Sequence, residues 1–173
     1  MNEGDWYYEA VQWAISDLIT EGTSETLFSP DLVCSRAQMV TFLWRAAGMP
    51  EPASSDNPFE DVQKDDYYYK AVQWAVENKI TTGTAEDQFS PDDECTRGQA
   101  VTFLYRSQKE PDVPEVSNPF TDVENDAYYF NPVQWAVQND VTKGTSETTF
   151  SPDEKCTRAQ IVTFLYRSRN LSD

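Results

Sequence analysis

Three arginines stand in the same short phrase, Ser35-Arg36-Ala37-Gln38, Thr96-Arg97-Gly98-Gln99 and Thr157-Arg158-Ala159-Gln160, each 61 residues from the next. A Ser or Thr followed three residues later by Gln is a capping box. The hydroxyl accepts the N3 backbone N–H, and the Gln side chain returns to the N-cap N–H. The arginine then falls at N1, where the helix dipole is positive and a cation gains nothing. A repeated Arg at a place unfavourable to the helix points to another task, and its planar fork suits a carboxylate. The alternative is an ion pair with one of the many acidic side chains. Arg45, Arg106 and Arg167 lie on the opposite side near the helix end, where the dipole alone accounts for a cation. Gly22-Thr23, Gly83-Thr84 and Gly144-Thr145 recur at the same interval. Glycine there lets a ligand approach the backbone and its N–H groups, or simply caps a helix.

Little else in the chain is equipped for catalysis. His is absent, which removes the commonest general base and metal ligand. Carboxylate pairs such as Asp65 and Asp66 occur in serial, exposed copies, whereas a glycosidase needs unique, pKa-shifted ones. The Phe-x-Asp-Val-x-x-Asp clusters lack the Gly-centred loop of alternating oxygen ligands that calcium requires. Cys34, Cys95 and Cys156 precede the capping boxes at N′, the place of a hydrophobic residue stapled to N4, here Met39, Ala100 and Ile161. They read first as small buried apolar residues, with a disulfide or a metal site as the lesser alternatives. The expectation is a non-enzymatic binding module with no cofactor and no metal.

Charge narrows the partner. Thirteen Lys and Arg against thirty Asp and Glu leave a net charge of -17. Such a surface does not neutralise nucleic-acid phosphates. Nor does it attach diffusely to an anionic membrane; a negative ligand would need a local site of Arg side chains and N–H groups. No stretch approaches the roughly 20 apolar residues of a membrane span. The start, Met1-Asn2-Glu3-Gly4-Asp5, is acidic and is no secretory signal.

These residues are positioned by one helical unit written three times. Trp13, Trp74 and Trp135 keep the 61-residue register, as do Phe28, Phe89 and Phe150. A first helix is predicted over Tyr7–Leu18, Tyr68–Lys79 and Phe130–Asn139. Tyr7, Val11, Ala14, Ile15 and Leu18 make one apolar stripe, and Trp6, Ala10 and Trp13 a second. Burial on two sides would make this helix the central element of its unit, with Trp13, Trp74 and Trp135 in the core. A second helix follows each capping box, and the loop between is pinned by Phe28, Phe89 and Phe150, with Ser-Pro-Asp as a turn. The repeats are expected at 1–48, 57–107 and 118–169, with Pro-containing connectors at 49–56 and 108–117. Copy one lacks its opening Asn-Pro-Phe-x-Asp-Val, so the chain is expected to be cut inside repeat 1 from a longer parent. Units of about 50 residues are marginal alone, so the three should pack together.

The unit resembles the S-layer homology family. Phe59-Glu60-Asp61-Val62 and Phe120-Thr121-Asp122-Val123 match its opening. Gly22, Gly83 and Gly144 match the exit of helix one, and Phe-Ser-Pro recurs three times. Its Thr-Arg-Ala-Glu motif appears with Gln in place of Glu, which removes a negative charge beside the Arg. The resemblance covers essentially the whole chain. It implies an all-α, pseudo-threefold spindle: a central three-helix bundle, formed by the first helices, with three helical prongs. Grooves between the prongs are then expected to hold a secondary cell wall polymer, often ended by a pyruvylated amino sugar, anchoring a larger surface protein to the bacterial wall or S-layer. Trp6, Tyr67 and Tyr128 align with the family's groove aromatic, which stacks on a sugar; a place in the core is the alternative. The ligand-binding residues implied are these three with Arg36, Arg97, Arg158 and the three Gly-Thr pairs. Gly98, where the other copies have Ala37 and Ala159, marks repeat 2 as the odd one. The competing role is assembly of a surface layer through protein contacts without glycan.

Overall fold

The computed structural model describes residues 1–115, 117–169 and 171. Val116, inside the second expected connector, lies outside the described residues. Two helices form in each repeat: α1 (Tyr8–Ser16) and α2 (Arg36–Ala46), α3 (Tyr69–Glu77) and α4 (Arg97–Ser107), α5 (Phe130–Gln138) and α6 (Arg158–Ser168). Only isolated β-bridges join the loops among the described residues, so the chain is all-α. All three capping boxes are formed, with both reciprocal hydrogen bonds present at Ser35, Thr96 and Thr157. Pro132 sits in the first turn of α5, where its missing N–H has no intrahelical partner to lose.

The centre is not built from the first helices. α2, α4 and α6 meet one another pairwise, while α1 packs on α6, α3 on α2 and α5 on α4. Each first helix therefore lies on a second helix of a different repeat, and α1 on α6 closes the ring. The burial pattern gives the reason. α2 buries Arg36, Ala37, Met39, Val40, Thr41, Phe42 and Leu43, nearly its whole circumference over two turns. α1 buries only Ala10, Val11 and Ala14, a single stripe. A helix apolar all round goes to the centre, and one with a single stripe stays outside. The threonines within α2 and α4 are tolerated there because Thr41 and Thr102 donate to the carbonyls of Ala37 and Gly98, both at 2.7 Å. Trp135 is buried, but Trp13 and Trp74 are only half-buried, so the mid-helix tryptophans rim the core in two copies out of three.

The loops are pinned as expected: Phe28, Phe89 and Phe150 are buried. The helix exit differs from expectation. The left-handed residues after the first helices are Leu18, Lys79 and Asp140, with φ of 58°, 58° and 54°, not the glycines. The glycines come later, in the turn that opens the loop.

Candidate ligand groove between repeats

The repeats are joined at the N-termini of α2, α4 and α6. An α-helix leaves its first N–H groups without intrahelical partners, and here a neighbouring repeat supplies them. Arg36 and Ala37 donate to the carbonyls of Asp93 and Pro91, Arg97 and Gly98 to Glu154 and Pro152, and Arg158 and Ala159 to Leu32 and Pro30, all at 2.8–3.0 Å. The residues before the caps close a second ring. Cys34 N–H donates to Cys156, Cys156 to Cys95 and Cys95 to Cys34, at 2.8–2.9 Å. The first N–H groups of these helices are therefore already satisfied by protein. The cysteine thiols are free and buried. Burial pushes Cys34 and Cys156 up to about 12 and raises Cys95 as well, so they are neutral and unreactive at ordinary pH.

Arg36, Arg97 and Arg158 are the buried ties of the same junction, each about 3–4% exposed. Among the described residues no carboxylate forms an ion pair with them, and they are shut off from open solvent. Each Nε donates to the carbonyl of the loop phenylalanine in the adjoining repeat: Arg36 to Phe89 and Arg97 to Phe150 at 2.9 Å, and Arg158 to Phe28 at 3.0 Å. The guanidinium of Arg36 lies 4.9 Å above the Phe89 ring and 5.5 Å above Phe103, and the other two are sandwiched alike. Such stacking suits the weakly hydrated planar cation. Burial lowers the pKa of all three, although a guanidinium stays charged regardless.

The three sites differ at one atom. Arg97 Nη2 donates to the Lys143 carbonyl at 2.9 Å, and Arg158 Nη2 to the Thr20 hydroxyl at 3.3 Å. Arg36 Nη2 is buried without a partner. Arg36 lines a groove of about 390 Å³ together with Gly83, Thr84, Gln99, Arg106 and Tyr128. All three repeats contribute, since Arg36 comes from the first, Gly83 to Arg106 from the second and Tyr128 from the third. Tyr128 is 58% exposed and Trp6 and Tyr67 are similar, so these aromatics are surface residues and the core alternative does not apply. Each is set edge-on to the tyrosine that follows it, which fixes the ring. Partial desolvation of its groove-facing side raises the Tyr128 hydroxyl pKa even though the ring is largely exposed, with nearby Tyr129 and Cys95 adding to the rise and Arg36 opposing it.

Arg106 is a groove residue that helix-end reasoning passed over. Its Nη1 donates to the Ile80 carbonyl at 3.3 Å, as Arg45 and Arg167 do to Ile19 and Val141. Its Nε faces Glu110 at 3.8 Å. Arg36 and Arg106 share the groove because they belong to different helices, so spacing within one helix carries no trace of it. Gly83 and Thr84 line this groove, yet in all three Gly-Thr pairs the threonine N–H is engaged. Thr23, Thr84 and Thr145 donate to the carbonyls of Leu27, Gln88 and Thr149, and their hydroxyls lie 2.6 Å from those of Ser29, Ser90 and Ser151. Any ligand at Gly83-Thr84 meets a rigid hydroxyl pair rather than open N–H donors.

Three tandem helical units interlocked head to tail define the class: an all-α module built from repeats. A family model described as the S-layer homology domain matches residues 1–40, 58–101 and 119–162, and the chain belongs to that family. Its curated relatives include an endoglucanase of Bacillus sp. (strain KSM-635), 30% identical over 71% of this chain and 13% of the relative. A cell surface protein of Thermoanaerobacter kivui is 26% identical over 79% of this chain and 18% of the relative. A surface-layer 125 kDa protein of Lysinibacillus sphaericus is 30% identical over 66% and 10% respectively. The chain thus spans between a tenth and a fifth of the length of these relatives.

Proposed function

We propose that the chain is a non-catalytic module that anchors a larger protein to the bacterial cell surface by holding a secondary cell wall polysaccharide in the grooves between repeats. Enzymes and structural surface proteins share this segment among the relatives. A common attachment function fits both, while a common catalytic one does not. The grooves so proposed comprise Arg36 with Gly83, Thr84 and Tyr128; Arg97 with Gly144, Thr145 and Trp6; and Arg158 with Gly22, Thr23 and Tyr67.

The observation that carries this reading is the unpartnered Nη2 of Arg36, in a groove that also presents Arg106 and an exposed tyrosine face. A charged donor without a partner is costly when desolvated, and an anionic sugar relieves that cost as its ring stacks on Tyr128. In a chain of net charge -17, two guanidinium groups at one groove make a local exception that selects a carboxylate-bearing sugar, such as a pyruvylated one. The Arg36 groove is therefore the principal site of the three. Binding of purified wall polymer to the Arg36→Met, Arg106→Met double variant is expected to fall roughly 10- to 100-fold, from the loss of one or two charge-assisted hydrogen bonds. Equal affinity of this variant and the parent chain, both shown to be folded, rules the site out. Undiminished binding to walls stripped of the polymer favours protein contacts instead.

A further inference from the structure

Lys143, Arg167 and Arg169 line one pocket of about 540 Å³ together with Asn139, Asp140 and Tyr166. The pocket lies between the segment that follows α5 and the last turn of α6. All three cations are exposed, and among the described residues none of them is in an ion pair. In a chain of net charge -17 such a cluster is a local exception. Attraction of a cation to a helix C-terminus accounts for Arg167, as it does for Arg45 and Arg106. It does not account for Lys143, which lies outside any helix, nor for the way Arg169 is held.

The guanidinium carbon of Arg169 lies 3.4 Å from the centre of the Tyr166 ring and 5.4 Å from that of Trp13. The two rings belong to different repeats and stand 5.5 Å apart, and Arg169 Nη1 also donates to the Tyr166 carbonyl. The group is thereby held in place in advance of any ligand. Arg167 is tied by Nη1 to the Val141 carbonyl at 3.4 Å. The backbone that carries Lys143 is fixed as well, because its carbonyl accepts from Arg97 Nη2 at 2.9 Å. The aromatic pair recurs as Tyr105 and Trp135, 5.8 Å apart, but the cluster does not. Gln108 and Thr82 stand there in place of Arg169 and Lys143, and Arg106 faces Glu110 at 3.8 Å. Repeat 1 has Ala47 and Glu21 at the same two positions. The three cations therefore belong to one seam and not to the repeat pattern.

We propose that the pocket of Lys143, Arg167 and Arg169 binds a phosphate group, free or carried as an ester on a larger molecule. A carboxylate is satisfied by one guanidinium fork. A phosphate has more acceptor oxygens in a tetrahedral array and engages two guanidinium groups and an ammonium together. Asp140 on the same pocket leaves a local charge of about +2, which matches a phosphate better than a single carboxylate. Because the cations are exposed, the remainder of an esterified ligand can extend into solvent. The site shares no residue with the Arg36 groove and does not rest on polysaccharide binding there.

The test titrates the intact chain with inorganic phosphate, glycerol 3-phosphate and dimethyl phosphate at one fixed ionic strength, since salt screens exposed charges. The Nε–H signals of Arg167 and Arg169, followed by NMR, are expected to shift saturably with at least one of these and not with acetate. The double variant Lys143→Thr, Arg169→Gln carries the residues that repeat 2 has at these positions. It should keep the amide spectrum of the rest of the chain and bind about tenfold more weakly or worse, as loss of two charge-assisted contacts requires. Asp140→Asn, which tolerates the φ of 54° at that position, should bind more tightly. Absence of saturation overturns the proposal, as do equal binding of acetate, equal binding by the double variant, or weaker binding by Asp140→Asn. Preference for dimethyl phosphate assigns a phosphodiester within a polymer, and preference for the other two a monoester or the free ion; either order upholds the phosphate chemistry.

Discussion

Replacing each junction arginine by methionine separates the structural part of its role from the part proposed for ligand. Methionine keeps an unbranched apolar stem over the phenylalanine rings and removes every donor. The ring contacts cancel in a comparison of Arg36 with Arg97, because both guanidinium groups are sandwiched at nearly the same distances. The hydrogen bonds do not cancel. Arg97→Met forfeits two charge-assisted bonds to the carbonyls of Phe150 and Lys143, while Arg36→Met forfeits one and removes a nitrogen buried without a partner. At about 1.5–3 kcal/mol per charge-assisted bond, Arg97→Met should be less stable than Arg36→Met by about 1.5 kcal/mol or more. Urea unfolding followed by fluorescence reads this directly. With a slope of roughly 2 kcal/mol/M, the two midpoints should differ by roughly 0.7 M, with Arg36→Met the higher. In polymer binding the order should invert, with Arg36→Met the more damaging. Refutation would be an Arg36→Met midpoint at or below that of Arg97→Met, since the missing bond would then have no energetic consequence.

Two further outcomes concern the Asp61 carboxylate, which anchors the opening segment of repeat 2 to that repeat's own loop, and the buried thiols. Asp61→Ala leaves the Phe89 and Ser90 N–H groups without their carboxylate and should cost about 2–4 kcal/mol in urea unfolding; a loss below about 0.5 kcal/mol would show that the segment is not held this way. The thiols set an alkaline limit. The folded pKa of Cys34 and Cys156 is about 12, above the unfolded value of about 8.5, so the unfolded state releases protons first. Stability is therefore full below roughly pH 8.5 and falls by about 1.4 kcal/mol per pH unit per thiol up to about pH 12. Unfolding free energies measured between pH 8 and 10.5 on the parent and on a Cys34→Ala, Cys156→Ala variant should show a steeper decline in the parent; parallel curves would contradict the buried, neutral thiols.

The local elements were legible because their causes are local. The capping boxes of Ser35, Thr96 and Thr157 involve residues three apart, and the loop phenylalanines recur in a register that needs only counting. The capping-box spacing placed a cation at N1 as an oddity. Its explanation lay in the Phe89 carbonyl, 53 positions away in the chain, and in no nearby acid. Likewise, Trp6, Tyr67 and Tyr128 were ambiguous between core and surface, because a stripe in the sequence does not say which of two faces finds a neighbour.

Repeat number, helix positions and the residue types at the seams were thus decided by the sequence itself, through hydrogen bonds and apolar periodicities that span a few residues. Which helices occupy the axis was decided by competition for burial among all six, and α2, α4 and α6 prevail because they are apolar nearly all round. Arg106 joined Arg36 only once the three units closed head to tail. Those features are relations between segments far apart in the chain, and packing alone brings their atoms together.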